Sequence, residues 1–385
     1  MHQRISSTSK RSSRQQGMLV LTLAFYRLRT FQLVYHRGTD PQINSHAYPP
    51  ARPAVVYDSG ERAWARWRGS PGPTPVAAAG GLVLYRDVST AELTVVNPLT
   101  GASRALPSPP PAATAAGALQ AVAMFGSPAY RVVLILGELP DLSMATFDST
   151  TNAWEDDVVP LSRKTEGDAG ATTTRERVAE EGEGEGDDTV YFLSKSGDVV
   201  ATTMQQSASR QYTSAVVTAG GEDAAAAVAY FLSRSGTVVA CDMARRAFAE
   251  LPRILPAYHE YSIDVVACGG AAYVVVLSEF LDTASLRVWE LDAGGAWRQV
   301  AAMPPAMSHA FSGAKADVNC VGHGDRVMVC VSSGDVAGAR GCFVCDVRNN
   351  RWEELTCCGH GDGEEAAATG FVAALSFEPR MEAAV

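Results

Sequence analysis

The stretch YFLSRSGTVVACDMARRAFAELP, residues 230–252, decides the fold once it is set beside YFLSKSGDVVA at residues 191–201. Nine of the eleven shared positions agree at an offset of 39 residues, and the two that differ are polar. Met204 and Met243 extend the match. A period in this range marks a supersecondary unit that is used repeatedly. Each copy parses as a strand (YFLS), a tight turn carrying Gly197 or Gly236, and a second strand. The second copy continues to a strand end at Asp242, a turn, and an aromatic residue, Phe248, that opens the next strand.

That phrase of strand, Asp, turn and aromatic recurs outward along the chain. It is seen with Asp58 and Trp64, with Asp148 and Trp154, and with Asp346 and Trp352. Looser copies surround Asn97 and run from Asp292 to Trp297, and a degenerate one falls near Thr203. The spacing of about 39 to 55 residues is that of four-stranded propeller blades. Asp or Asn at the strand end turns the chain with its own side chain, Gly or Asn supplies a positive φ, and the aromatic covers the gap between blades. These residues hold a fold and catalyse nothing by themselves.

A second phrase lies upstream of several copies. VAAAGGLVLY (76–85), VVTAGGEDAAAAVAYF (216–231), VVACGGAAYVVVL (265–277) and VNCVGHGDRVMVCV (318–331) each read as strand, Gly-containing turn, strand. Together the phrases predict an all-β, kelch-like β-propeller over residues 51–380. Seven blades are expected, with six as the alternative, and the ring is expected to be closed by C-terminal strands (GFVAALSFEP, 370–379) joining the first blade, which removes exposed edges.

Composition agrees with an all-β chain. Of 385 residues, 46% are hydrophobic and only 19% charged, with 34 Gly and 20 Pro, which suits short strands and tight turns better than long solvated helices. A formal net charge of −10 excludes broad affinity for nucleic acid. Residues 1–39 contain no Asp or Glu but carry Arg4, Lys10, Arg11, Arg14, Arg27, Arg29 and Arg37, a transit-like composition, and MLVLTLAF (18–25) faintly resembles a secretory apolar run without a cleavage site. No apolar stretch reaches the ~18 residues of a membrane span. The expectation is a protein of the nucleus or cytoplasm that does not engage membrane, with organelle import by the basic N-terminus as the alternative, and with its eight cysteines as thiols. Residues 1–50 are expected to be poorly structured. Residues 163–188, which include ERVAEEGEGEGDD (176–188), are expected to be a disordered acidic insertion.

RVWELDAGGAWRQVAAMPPAM (287–307), NPLTGASRALP (97–107), YSIDVV (261–266), HGDRVMV (323–329), FVCDVRNNRWEEL (343–355) and FEPRMEAAV (377–385) together give the chain its resemblance to the C-terminal propeller of plant F-box/kelch-repeat proteins. The resemblance implies a domain that holds a target protein for an SCF (Skp1-cullin-F-box) ubiquitin ligase, with an N-terminal F-box docking a Skp1-type linker. The Gly pair here precedes the second apolar strand instead of following it. Residues 1–50 lack the Leu-Pro opening of an F-box, and Pro41, Pro49 and Pro50 would break helices there. The Skp1-type partner is therefore expected only if an F-box is supplied upstream; the alternative is a stand-alone binding scaffold or decoy.

Enzymatic readings find little support. The seven histidines, His2, His36, His46, His259, His309, His323 and His360, form no pairing assignable to a copper oxidase of the galactose-oxidase type. Cys342 and Cys345 form C-x-x-C inside one strand, where residues three apart point to opposite faces, so they do not share a metal. Cys357, Cys358 and His360 with His323 are the remaining metal candidates. There is no P-loop, no G-x-S-x-G and no H-E-x-x-H. No catalytic residue, metal or cofactor is expected.

A partner would meet the loops that link the last strand of one blade to the first of the next. LPRILPAYHEYS (251–262) and MPPAMSHAFSG (303–313) combine aromatics, a His and Pro-stiffened backbone, the mix of interface anchors. Tyr258, His259, Tyr261, His309 and Phe311 are the candidate target-binding residues. The alternative is that these aromatics plug the channel mouth or seal blade edges.

Overall fold

A computed structural model describes residues 31–38, 55–58, 63–66, 74–87, 89–113, 119–164, 189–193, 199–203, 212–218, 227–233, 236–255, 261–280, 283–314, 316–333, 340–355, 369–378 and 380–385. The fold is an all-β propeller. Its first blade is built from Thr74–Ala79, Leu82–Arg86, Leu93–Val96 and Ser103–Ala105. The second is built from Leu119–Phe125, Arg131–Glu138, Asp141–Asp148 and Ala153–Trp154. Ala215–Thr218, Ala227–Leu232, Val238–Asp242 and Ala247–Glu250 make the third. The fourth holds Tyr261–Cys268, Ala271–Phe280, Thr283–Leu291 and Trp297–Ala302, and the fifth Ala316–His323, Arg326–Ser333, Arg340–Asp346 and Arg351–Leu355. In each blade consecutive strands pair antiparallel, in chain order.

The expected count of seven blades, or six, is corrected: five blades of consecutive strands are described. The degenerate copy near Thr203 forms only a two-stranded hairpin, Thr189–Leu193 with Val199–Thr203. It has no described strand on either side and no aromatic six residues beyond its strand end, so among the described residues the hairpin is not extended into a blade. The first phrase, Val55–Asp58 and Ala63–Arg66, belongs to a split sheet drawn from both ends of the sequence, in the order Thr369–Phe377, Phe31–Gly38, Val55–Asp58, Ala63–Arg66. Thr369–Phe377 thus pairs with Phe31–Gly38 and not with the strands of the first phrase. The expected closure is also corrected: among the described residues every sheet is an open row of strands, and none is closed. Residues 165–188, which hold most of the expected acidic insertion, lie outside the described residues; Ser162–Arg163 is a short strand parallel to Ala247–Glu250.

The core lies between blades. Strands with a neighbouring blade on both faces lose alternation, as in Arg131–Glu138, where five successive residues are buried, whereas Ala227–Leu232 alternates buried and half-buried positions. Leu84, Leu134, Tyr130 and Phe147 fill the space between blades one and two. Ile135, Phe231, Val239 and Phe248 fill that between two and three, and Val275, Leu286, Val329 and Phe343 that between four and five. Tyr57 of the split sheet packs with Met328, Cys330 and Leu355 of blade five. Burying each of these large side chains contributes roughly 1.5–3 kcal/mol. A polar seam joins the inner strands of blades four and five: Ser262 donates to Asp317 at 2.5 Å and accepts from the Val318 amide at 3.1 Å, while buried Asp264 accepts from the Cys320 amide.

Candidate functional site

The repeated Asp shapes the turn between the third and fourth strands of its blade. Its carboxylate accepts from backbone amides in the following turn: Thr150 to Asp148 at 2.8 Å, Arg245 to Asp242 at 3.0 Å, Gly294 to Asp292 at 2.8 Å, and Arg348 to Asp346 at 3.1 Å. The fourth residue onward is left-handed in three of these turns, at Asn152, Arg246 and Asn350. Hydroxyl donation from Thr150 is the largest effect holding the Asp148 carboxyl below the usual carboxylate range, and the Asn349 side chain does the same for Asp346. For Asp58 and Trp64 only the backbone is described.

After that turn the aromatic reaches the previous blade. The Trp154 indole donates to the Pro107 carbonyl at 2.7 Å, and the Trp297 indole to the Pro252 carbonyl at 2.8 Å. Both acceptors sit in Leu-Pro pairs just beyond the outer strand of the preceding blade. The repeat therefore pins the connection between blades at its root. Trp352 donates instead to Asn350 at 3.2 Å, whose side-chain oxygen also accepts from the Ala302 amide at 3.0 Å, and Phe248 is buried.

The connection between blades four and five, residues 304–313, is described along its whole length. Pro305–Ser308 forms one helical turn with Pro at its first position, followed by a 3₁₀ turn at His309–Phe311. Phe311 is buried edge-on against Phe343, with ring centroids 5.9 Å apart. The Ala284 amide donates to the Ser312 hydroxyl at 3.0 Å, and the Gly313 amide donates to the Glu279 carboxylate, so both strands flanking the blade-four turn hold this segment. Pro304, Pro305, Ala306, His309 and Ala310 are exposed on top of it. The sequence reading named this stretch for its Pro-stiffened backbone but singled out His309 and Phe311 within it, and not Pro304, Pro305 or Ala306.

Of the five candidate residues, Tyr258 and His259 lie outside the described residues, and only the backbone of Tyr261 is described, opening the inner strand of blade four. His309 is exposed on the platform, and Phe311 lies beneath it in the core. These last two stand in the same 3₁₀ turn, one facing out and the other in.

A cavity of about 600 Å³ lies where the inner strands converge, with walls of small side chains such as Ala77, Ala78, Val265 and Ala267. Ser127, His323, Glu378 and Arg380 also line it. The Arg380 guanidinium donates to the Ser127 hydroxyl at 3.1 Å and to the Glu378 carboxylate at 3.3 Å. Burial pushes the His323 imidazole below the usual histidine range, with the Glu378 charge opposing it. Among the described residues no group of three or more His, Cys, Asp or Glu side chains is placed to hold a metal. Cys345 belongs to the core between blades four and five, whereas Cys342 faces the split sheet, with its sulfur 3.8 Å from that of Cys330. Burial pushes the Cys241, Cys268 and Cys345 thiols up to about 12, so they are inert as nucleophiles. Cys357, Cys358 and His360 lie outside the described residues. No helix among the described residues is long and apolar enough to cross a membrane.

No family profile matches the chain. F-box only protein 13 from Arabidopsis thaliana is 39% identical to it over 318 residues, which is 81% of this chain and 65% of the relative. The chain thus spans just under two thirds of that relative's length. Among solved structures, the β-propeller domain of the trilobed protease from Pyrococcus furiosus is 10% identical, covers 87% of this chain and 97% of its own, and aligns with a TM-score of 0.40. TolB from Acinetobacter baumannii is also 10% identical, over 90% of this chain and 66% of its own, with a TM-score of 0.39.

Proposed function

We propose that this propeller is the target-holding part of an adaptor for an SCF-type ubiquitin ligase. The observation that carries the reading is the 39% identity to an F-box protein over 81% of the chain. The chemistry asked of the propeller is positional: it raises the local concentration of a target beside a ligase that makes the bond. The platform at residues 304–313 supports that role, because two backbone amides and a buried Phe hold it in one shape, which lowers the ordering cost of binding. A Skp1-type linker would be engaged by an F-box supplied upstream of the propeller. No acid, base or nucleophile in the described part of the chain is needed.

The test pairs the chain with the double variant Ala306→Arg, His309→Asp in plant cells and compares ubiquitin conjugates on co-purifying proteins. A captured protein whose conjugates rise with the wild-type chain and not with the variant supports the reading. Equal conjugates with both forms remove the loop face from target binding. A direct mixing experiment with a Skp1-type protein, with F-box only protein 13 as positive control, separates ligase docking from target holding.

A further inference from the structure

Blade one departs from the others at one atom. Where blades two to five place Asp, it places Asn97, which is fully buried. The Asn97 carbonyl oxygen performs the turn duty, accepting from the Leu99 and Thr100 amides at 3.0 and 3.3 Å. Its amide nitrogen is spare, and both of its hydrogens go to one place: the carbonyls of Arg380 and Ala383, each at 2.9 Å. A carboxylate there could accept for the turn but could donate nothing.

The surroundings fit the same segment. Ala383 and Val385 pack against the core between blades one and two, and Arg104 donates to the Val385 carbonyl at 3.3 Å. Arg380 reaches Ser127 in the turn that follows the inner strand of blade two. At Gly81 a Cβ would lie 2.9 Å from both the Glu378 carbonyl and the Arg380 Cβ, so the chain crosses there only because no side chain stands in the way. The segment follows directly from Thr369–Phe377, the strand that brings the split sheet up to blade one.

We propose that blade one carries a docking site for a polypeptide turn, filled in cis by residues 380–385, and that this contact is a clasp seating the split sheet beside blade one. Recognition is of backbone: Asn97 reads two carbonyls three residues apart, and the pocket takes small side chains. Release would free the segment that runs beside Ser127 and His323 at the cavity.

Arg380 is a trypsin site, so limited proteolysis of the full-length chain reads the clasp. Asn97→Asp keeps the turn acceptor and removes both donors. Cleavage after Arg380, followed by mass spectrometry, is expected to speed up about tenfold or more, with circular dichroism unchanged. If Asn97→Asp unfolds the protein, Ala383→Glu decides, because it alters the segment and leaves blade one intact; the same acceleration is expected. An unchanged cleavage rate in the folded variant overturns the proposal, and so does global unfolding by Ala383→Glu, which would make the segment part of the core and not a clasp.

Discussion

The same eleven-residue phrase has two fates in this molecule. At residues 230–240 it lies in the two middle strands of blade three, paired on one side with Ala215–Thr218 and on the other with Ala247–Glu250. At residues 191–201 it forms a hairpin of the same register, with no further strand beside it among the described residues. In both, a residue two before the first strand's end faces one two beyond the second strand's start: Tyr230 with Ala240, Tyr191 with Ala201. Local sequence therefore makes the hairpin, and neighbours make the blade. The second copy is followed by Phe248, which is buried among Ile135, Phe231 and Val239; the first is followed by MQQSASRQ, which offers no apolar outer strand.

The comparison breaks hardest at Phe248. Phe248→Ala removes the ring that ties blade three to blade two and should cost about 3–5 kcal/mol in denaturant titration, enough to detach the second copy from its neighbours. Next come the indoles that pin one blade to the last. Trp154→Phe and Trp297→Phe each lose one hydrogen bond to a proline carbonyl and should cost about 1–2 kcal/mol, read in the same titration, and the two should add because the pairs are remote.

Acid separates the Asn97 turn from the turns built on Asp more gently. The turn carboxyls of Asp148 and Asp346 are held below their ordinary value, chiefly by Thr150 and Asn349, and that of Asp87 is held down to about 2, chiefly by Ser89. A lowered folded-state value means that these groups add stability above the unfolded value of about 4, and that the contribution is lost as pH falls through the folded values, that of Asp87 being about 2. Thermal melts should therefore weaken over that window, and Asp148→Asn should flatten the response. The Asn97 turn of blade one does not titrate. The smallest effect belongs to the lone hairpin. Thr189 and Thr203 face each other across its open end, so excising 189–203 and bridging with two glycines should shift stability by no more than about 0.5 kcal/mol.

Much of this was legible in the chain. The Asp and Trp spacing found the outer halves of blades two, four and five, and the Gly turns found the inner halves of blades one, three, four and five, because both signals are local. The blade count was not legible, since the copy near Thr203 carries the right hairpin and lacks only its neighbours. Nor was the strand Phe31–Gly38, whose pairing with Thr369–Phe377 joins residues more than 300 apart. At the loop face, the Pro-stiffened wording of 303–313 pointed to a rigid platform, but whether an aromatic in it points outward depends on what lies beneath, and Phe343 takes Phe311 inward. Asn97 looked like a loose copy of Asp; its second role appears only when Arg380 and Ala383 are placed beside it.

Hydrogen exchange on the full-length chain tests the central claim most directly, by comparing backbone amides of 191–201 with those of 230–240 in one sample. The account predicts that the second copy exchanges orders of magnitude more slowly, because strands on both sides must part before it opens, while the first opens as an isolated hairpin. Equal protection of the two copies would mean that the first also sits inside a packed sheet, and would contradict a propeller of five blades.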